Sequence, residues 1–116
     1  MKTVTCYRPT GQKELDLVAE SGYLKWPPRL PDQPIFYPVT NEKYAIELTR
    51  WNISAFGIGY VTKFDVNKEY LDNYKIECVG ARHHTEWWIP AEELDQFNAN
   101  IVGKIEITKK LDRTDT

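Results

Sequence analysis

Four of this chain's seven prolines fall between Tyr23 and Pro34, in the run Tyr23-Leu24-Lys25-Trp26-Pro27-Pro28-Arg29-Leu30-Pro31-Asp32-Gln33-Pro34. Proline lacks a backbone N–H and has a fixed φ, so neither a strand ladder nor a helix survives at that density. The run must be a stiff, extended loop. Structured loops of this length are uncommon in compact domains and tend to be functional. The Pro-Pro-Arg-Leu-Pro string also suits an aromatic-grooved recognition module, but inside a small folded domain a packed lid is the better reading.

Periodicity and punctuation organise the rest. Thr3 to Arg8 reads as a strand stopped by Pro9. Thr10 caps a helix to Ser21 with Leu15, Val18 and Ala19 inward, and Gly22 is a left-handed stop. After the proline run, Ile35 to Val39 is a short strand at an edge or bulge because of Pro38. Thr40 or Asn41 caps a helix to about Trp51, with Tyr44, Ala45, Leu48 and Trp51 on its inner face. Phe56-Gly57-Ile58-Gly59 is a turn. Gly59 to Val66 is the clearest strand, with Tyr60, Thr62, Phe64 and Val66 on one face.

Asn67 caps a single helical turn through Tyr70 and Leu71. Ile76 to Val79 and Glu86 to Ile89 are strands separated by a polar loop. Pro90 or Ala91 opens a helix with Glu92 and Glu93 in its first turn, ending near Asn98 to Asn100. Lys104 to Thr108 is the last strand. Residues 109–116 form a polar, frayed tail, which leaves 1–108 as one domain. The order β-α-β-α-β-β-β-α-β is α+β rather than doubly wound, because three strands follow one another in the middle.

A chain of 116 residues accommodates one core but not two. Lys+Arg 15 against Asp+Glu 17 gives a net charge of −2, with no overall pull toward nucleic acid or anionic lipid. Trp26, Trp51, Trp87 and Trp88 offer rings for stacking bases, but an acidic chain lacks the basic groove that such binding needs. No apolar run approaches the roughly 20 residues of a membrane span. The N-terminal residues lack the apolar stretch of a secretory signal. Cys6 and Cys78, far apart in strand-like segments, read as buried free thiols of a cytoplasmic protein.

Chemistry concentrates in His83-His84-Thr85-Glu86-Trp87-Trp88-Ile89. Alternation puts His84, Glu86 and Trp88 on one strand face and Thr85, Trp87 and Ile89 on the other. Glu86 is then either a solvent-facing glutamate or a carboxylate held in an aromatic-walled cleft, where it would stabilise positive charge. His83 and His84 suggest metal, but neighbouring strand residues point apart and a structural zinc site needs four ligands. No C-x-x-C accompanies them, so no metal is expected. Neither thiol has a feature that would activate it. Arg8 ends a strand and gains meaning only if its fork faces the same cleft as Glu86. Tyr37 and Thr40 supply a ring and a hydroxyl at another strand end, equally readable as core and helix cap. Gly57 and Gly59 lack the rest of a phosphate-binding loop.

Several strings together resemble one group. They are Cys6-Tyr7-Arg8-Pro9-Thr10-Gly11 leading into a helix, Pro27 to Glu42, Gly59-Tyr60-Val61-Thr62 and Glu86-Trp87-Trp88-Ile89-Pro90-Ala91-Glu92-Glu93-Leu94. The chain is similar, over roughly residues 3 to 108, to the small bacterial proteins called "ADP-ribosylation/crystallin". Its element order also resembles a minimal ADP-ribosyltransferase. That resemblance implies a small, mixed, mainly antiparallel split sheet with about three helices, whose two half-sheets form a cleft for NAD.

The same resemblance assigns roles. Arg8 takes the first-strand position, Tyr37 (or Thr40) the second, and Glu86 the third. Glu86 would stabilise an oxocarbenium-like ribose, Arg8 would bind ribose or phosphate, and Tyr37 would stack on nicotinamide. Thr40, His84 and Trp88 complete the NAD-binding set. The sequence departs from that fold's pattern: it has no Ser-Thr-Ser strand motif, and His84 stands two residues before Glu86 in place of Glu or Gln. Two functions follow as expectations: ADP-ribosyl transfer or NAD hydrolysis, or a non-catalytic module that binds a nucleotide, peptide or protein.

Overall fold

The computed structural model describes residues 2–115, without the side chains of 54–56 and 115. Its centre is an antiparallel sheet in the order β1-β3-β7, made of β1 (Thr3–Thr10), β3 (Ile58–Asn67) and β7 (Ile101–Asp112). In β3 the alternating residues Tyr60, Thr62, Phe64 and Val66 are all buried, as the period of two requires. Cys6 pairs with Phe64 and Arg8 with Thr62 across the β1 ladder. Two register shifts interrupt the β3–β7 ladder, between Val61 and Thr62 and between Lys63 and Asp65.

The remaining strands are short. β2 (Ile35–Phe36) pairs with β6 (Ile89–Pro90), and β4 (Ile76–Cys78) with β5 (Thr85–Trp87), both antiparallel. Val39 joins β5 to the central sheet. It exchanges hydrogen bonds with Tyr7 (2.9 and 2.8 Å) and bridges to Glu86 on its other side. A one-residue seam therefore links the β4–β5 pair to the central sheet. The helices are α1 (Gln12–Glu20), α2 (Glu42–Phe56), α3 (Lys68–Leu71) and α4 (Leu94–Ala99), the last preceded by a 3-10 turn at Ala91–Glu93. Among the described residues the fold is thus a small α+β arrangement of antiparallel sheets with four α-helices. Among the described residues no helix is long and apolar enough to cross a membrane.

The main core is aromatic. Trp26 packs on Phe36 and Phe64, and Phe97 closes on both phenylalanines with tilted or edge-on rings. Burying each such side chain contributes about 1.5–3 kcal/mol, and edge-on pairs add about 0.5–1.5 kcal/mol. Trp26 comes from the proline run and is fixed by Asn98, which accepts from its backbone N–H and donates to its carbonyl, each at 2.9 Å. The loop is thereby nailed to the core in its middle while Leu24 and Leu30 remain exposed.

The capping expectations hold at Asn41, which accepts from the Tyr44 N–H at 2.8 Å, and at Asn67, which accepts from the Glu69 N–H. Gly22 has φ 78°, the left-handed stop after α1. Several readings need correction. The first strand continues through Pro9, because alternation from Tyr7, whose N–H bonds Val39, turns the Pro9 nitrogen away from β3 as well. Thr10 then ends a strand and bonds Thr62 Oγ1, while Gly11 occupies the N-cap. Trp51 is 65% exposed, and the inner stripe of α2 is Tyr44, Ala45, Thr49 and Ile53. Gly59 allows this: a Cβ there would lie 2.7 Å from Thr49 Cγ2, so only glycine lets the helix approach so closely. The last strand starts at Ile101 and continues to Asp112, so residues 109–112 are ladder rather than tail. Of the two thiols, Cys6 is buried and Cys78 is exposed.

Candidate functional site

A hollow of about 330 Å³ opens beside the seam at Val39, and its walls include Arg8, Arg29, Tyr37, Tyr44 and Glu86. These come from β1, the proline loop, the segment after β2, α2 and β5. The size is at the small end of the range for ligand pockets, ~300–1,000 Å³. The three residues singled out as a cation, a ring and an anion thus share one cavity, and no tryptophan fills it.

Glu86 is 8% exposed. Tyr44 donates its hydroxyl to Oε1 at 2.9 Å, and the Trp88 indole donates to Oε2 at 2.7 Å. The bond to Trp88 is possible because alternation places residues 86 and 88 on the same side. Among the described residues, no lysine, arginine or histidine nitrogen lies within ion-pair distance of this carboxylate. Burying an ion without a counter-charge costs several kcal/mol, while hydrogen bonds to a charged group return about 1.5–3 kcal/mol each. Two neutral donors therefore orient the carboxyl group. Burial and the bond to Glu86 push the Tyr44 phenol up to about 12, so it stays a donor at neutral pH.

The opposite wall is cationic. Arg8 closes its fork on Glu14, with Nε to Oε1 at 2.8 Å and Nη2 to Oε2 at 3.0 Å. Its Nη1 reaches the Tyr37 carbonyl at 3.4 Å, and its guanidinium lies 4.5 Å above the Phe36 ring. Arg29 sits nearby with Nη1 3.7 Å from Glu14 Oε2, and its side chain is 10% exposed. The Nε of Arg29 is buried without a partner. Burial, and then the charge of Arg8, pull the Arg29 guanidinium below its ordinary range, while Glu14 opposes that shift. Two buried cations share one carboxylate here.

Behind Tyr44 lies a third polar group. His84 stacks on the Tyr44 ring at 4.7 Å, and both His83 and His84 turn Nε2 toward Glu47, at 3.0 and 2.7 Å. The two histidines lie in a turn rather than a strand, so the expectation that they point apart fails. Their bonds lower the Glu47 carboxyl below its usual range. The three groups are close enough for a metal, but the donor set does not suit one. His84 Nδ1 accepts from the Ala81 N–H at 3.1 Å, which leaves the ring proton on Nε2, pointing at Glu47. Metal-bearing histidines instead donate from their second nitrogen.

Of the six candidate residues, Arg8, Tyr37 and Glu86 line the hollow. Trp88 touches it through Glu86, and His84 stands behind Tyr44. Thr40 does not line it. Its hydroxyl bonds Thr85 Oγ1 and accepts from Asn41 Nδ2 at 3.1 Å. The sequence reading missed Glu14, Arg29 and Tyr44. Arg29 had a signal, as the one charged side chain between the buried Trp26 and Leu30. Tyr44 looked like core and is both core and site. No family model, curated protein or solved structure matches this chain.

Proposed function

We propose that the hollow binds the nicotinamide-ribose end of NAD and that the protein breaks the bond between nicotinamide and C1′ of that ribose. Nicotinamide leaves with the bonding electron pair. Water, or an acceptor nucleophile, adds to C1′ and loses a proton, giving ADP-ribose or an ADP-ribosylated acceptor. On this reading the chain is a relative of the small bacterial "ADP-ribosylation/crystallin" proteins with an ADP-ribosyltransferase-like split sheet.

The observation that carries it is Glu86: a buried carboxyl group oriented by two neutral donors, with no cation of a described residue within ion-pair distance. Such a group stabilises a cationic sugar best in a site where few water dipoles screen it. Tyr37, half-exposed at the rim, would stack on the nicotinamide ring, and the Arg8 wall would meet the anionic part of the ligand. Nicotinamide release from NAD, followed with wild type and Glu86→Gln, tests the reading. Turnover in the wild type, lost in a variant that melts normally, supports it. No saturable NAD binding at millimolar concentration overturns it.

One observation favours a second reading, a binding module without turnover. The fork of Arg8 is already closed on Glu14, as in a site at rest without substrate chemistry. Tight NAD or nucleotide binding with no nicotinamide release would select it.

A further inference from the structure

The Arg29 guanidinium makes no hydrogen bond to any described residue, although its side chain is only 10% exposed. A buried guanidinium left in that state costs several kcal/mol, and an orphaned buried donor in a folded protein needs an explanation. Arg29 is held there by its loop: Trp26 is anchored in the core, and Pro27, Pro28 and Pro31 stiffen the chain on both sides. Beside it, Arg8 has bound Glu14 through a bidentate fork, and the same carboxylate reaches Arg29 only at 3.7 Å. Glu14 turns both oxygens to the Arg8 fork, and in that pose neither comes within hydrogen-bond distance of Arg29. The two arginines and Glu14 sum to one positive charge. An oxyanion with tetrahedrally arranged oxygens can meet two guanidiniums at once, and arginine forks match phosphate geometry well.

We propose that Arg8 and Arg29 form a phosphoryl-binding subsite in the hollow, with Glu14 as an internal placeholder that the phosphoryl group displaces. Within the NAD reading, and resting on it to that extent, this subsite takes the pyrophosphate while Glu86 faces the nicotinamide ribose. The site's ligands are then phosphorylated compounds with a cationic or polar group at the far end. Arg29, on the loop that the sequence alone marks as unusual, sets that class.

Calorimetric titration of the full chain with inorganic pyrophosphate at low ionic strength tests this. Wild type should bind, Arg29→Gln should weaken binding by about tenfold or more, and Arg29→Lys should fall between them because it keeps charge but loses the fork. Glu14→Gln removes the competing charge at nearly constant volume and should tighten pyrophosphate binding by about tenfold. If Glu14→Gln binds no better than wild type, or Arg29→Gln binds equally well, the subsite is wrong. No binding by either wild type or Glu14→Gln also overturns it. A parallel titration with NAD separates the two ideas. Pyrophosphate binding that depends on Arg29, without NAD binding, keeps the subsite and removes the NAD reading. NAD binding that ignores Arg29 does the reverse.

Discussion

The two walls of the hollow treat a carboxylate in opposite ways. Glu86 receives two neutral donors and no cation, whereas Glu14 receives a complete guanidinium fork and the approach of a second. Glu14 is paired with guanidiniums; Glu86 is oriented by neutral donors and has no cation of a described residue at ion-pair distance. Charge compensation inside one small cavity is therefore uneven. The excess at each wall, negative at one and positive at the other, describes the ligand better than the shape of the cavity does.

The sharpest way to break this contrast is Glu86→Gln. It keeps the volume and removes the charge, so nicotinamide release should fall by about 10²–10³-fold, measured as initial rate at saturating NAD. If turnover survives, the charge at that wall is not used. The second effect is on stability. Glu14→Ala leaves Arg8 and Arg29 facing each other, and should destabilise the fold by about 2 kcal/mol, read from urea denaturation. Pyrophosphate should restore part of that loss. Tyr44→Phe removes one of the two donors on Glu86 and should lower turnover by about tenfold, leaving the fold largely intact.

The smallest effect is one of pH. Folding holds the Tyr44 proton more tightly than the ordinary phenol near 10. The stability linked to it is whole below about pH 10 and is lost as pH rises toward about 12. Tyr74 and Tyr70 are also shifted upward, mainly by burial, so the measurement is the difference between wild type and Tyr44→Phe in alkaline melts. A difference that does not narrow above pH 10 would contradict the Tyr44–Glu86 bond.

Much of the frame was readable because it depends on local rules. Asn41 and Asn67 announce helix starts, Gly22 a helix end, and the alternation of Tyr60 to Val66 a strand. The shared side of Glu86 and Trp88 followed from the period of two. What stayed hidden depends on partners distant in sequence. Lys109 and Lys110 look like tail because the ladder they join is built from backbone groups, which any side chain permits. Trp51 turned outward because Gly59, in another element, draws α2 in along Thr49. Glu14 gave no signal at all, since an exposed-looking helix glutamate becomes a site residue only when two arginines arrive from elsewhere.

Tyr7, Val39 and Glu86 lie on three adjoining rungs. Two inter-strand steps of about 4.8 Å thus separate the main chain of β1 from that of β5. The hydrogen-bond ladder works as a caliper: it sets the gauge between the strands that carry the positive and the negative wall, whatever rotamers the side chains adopt. Any ligand that touches both must match a length written into the backbone.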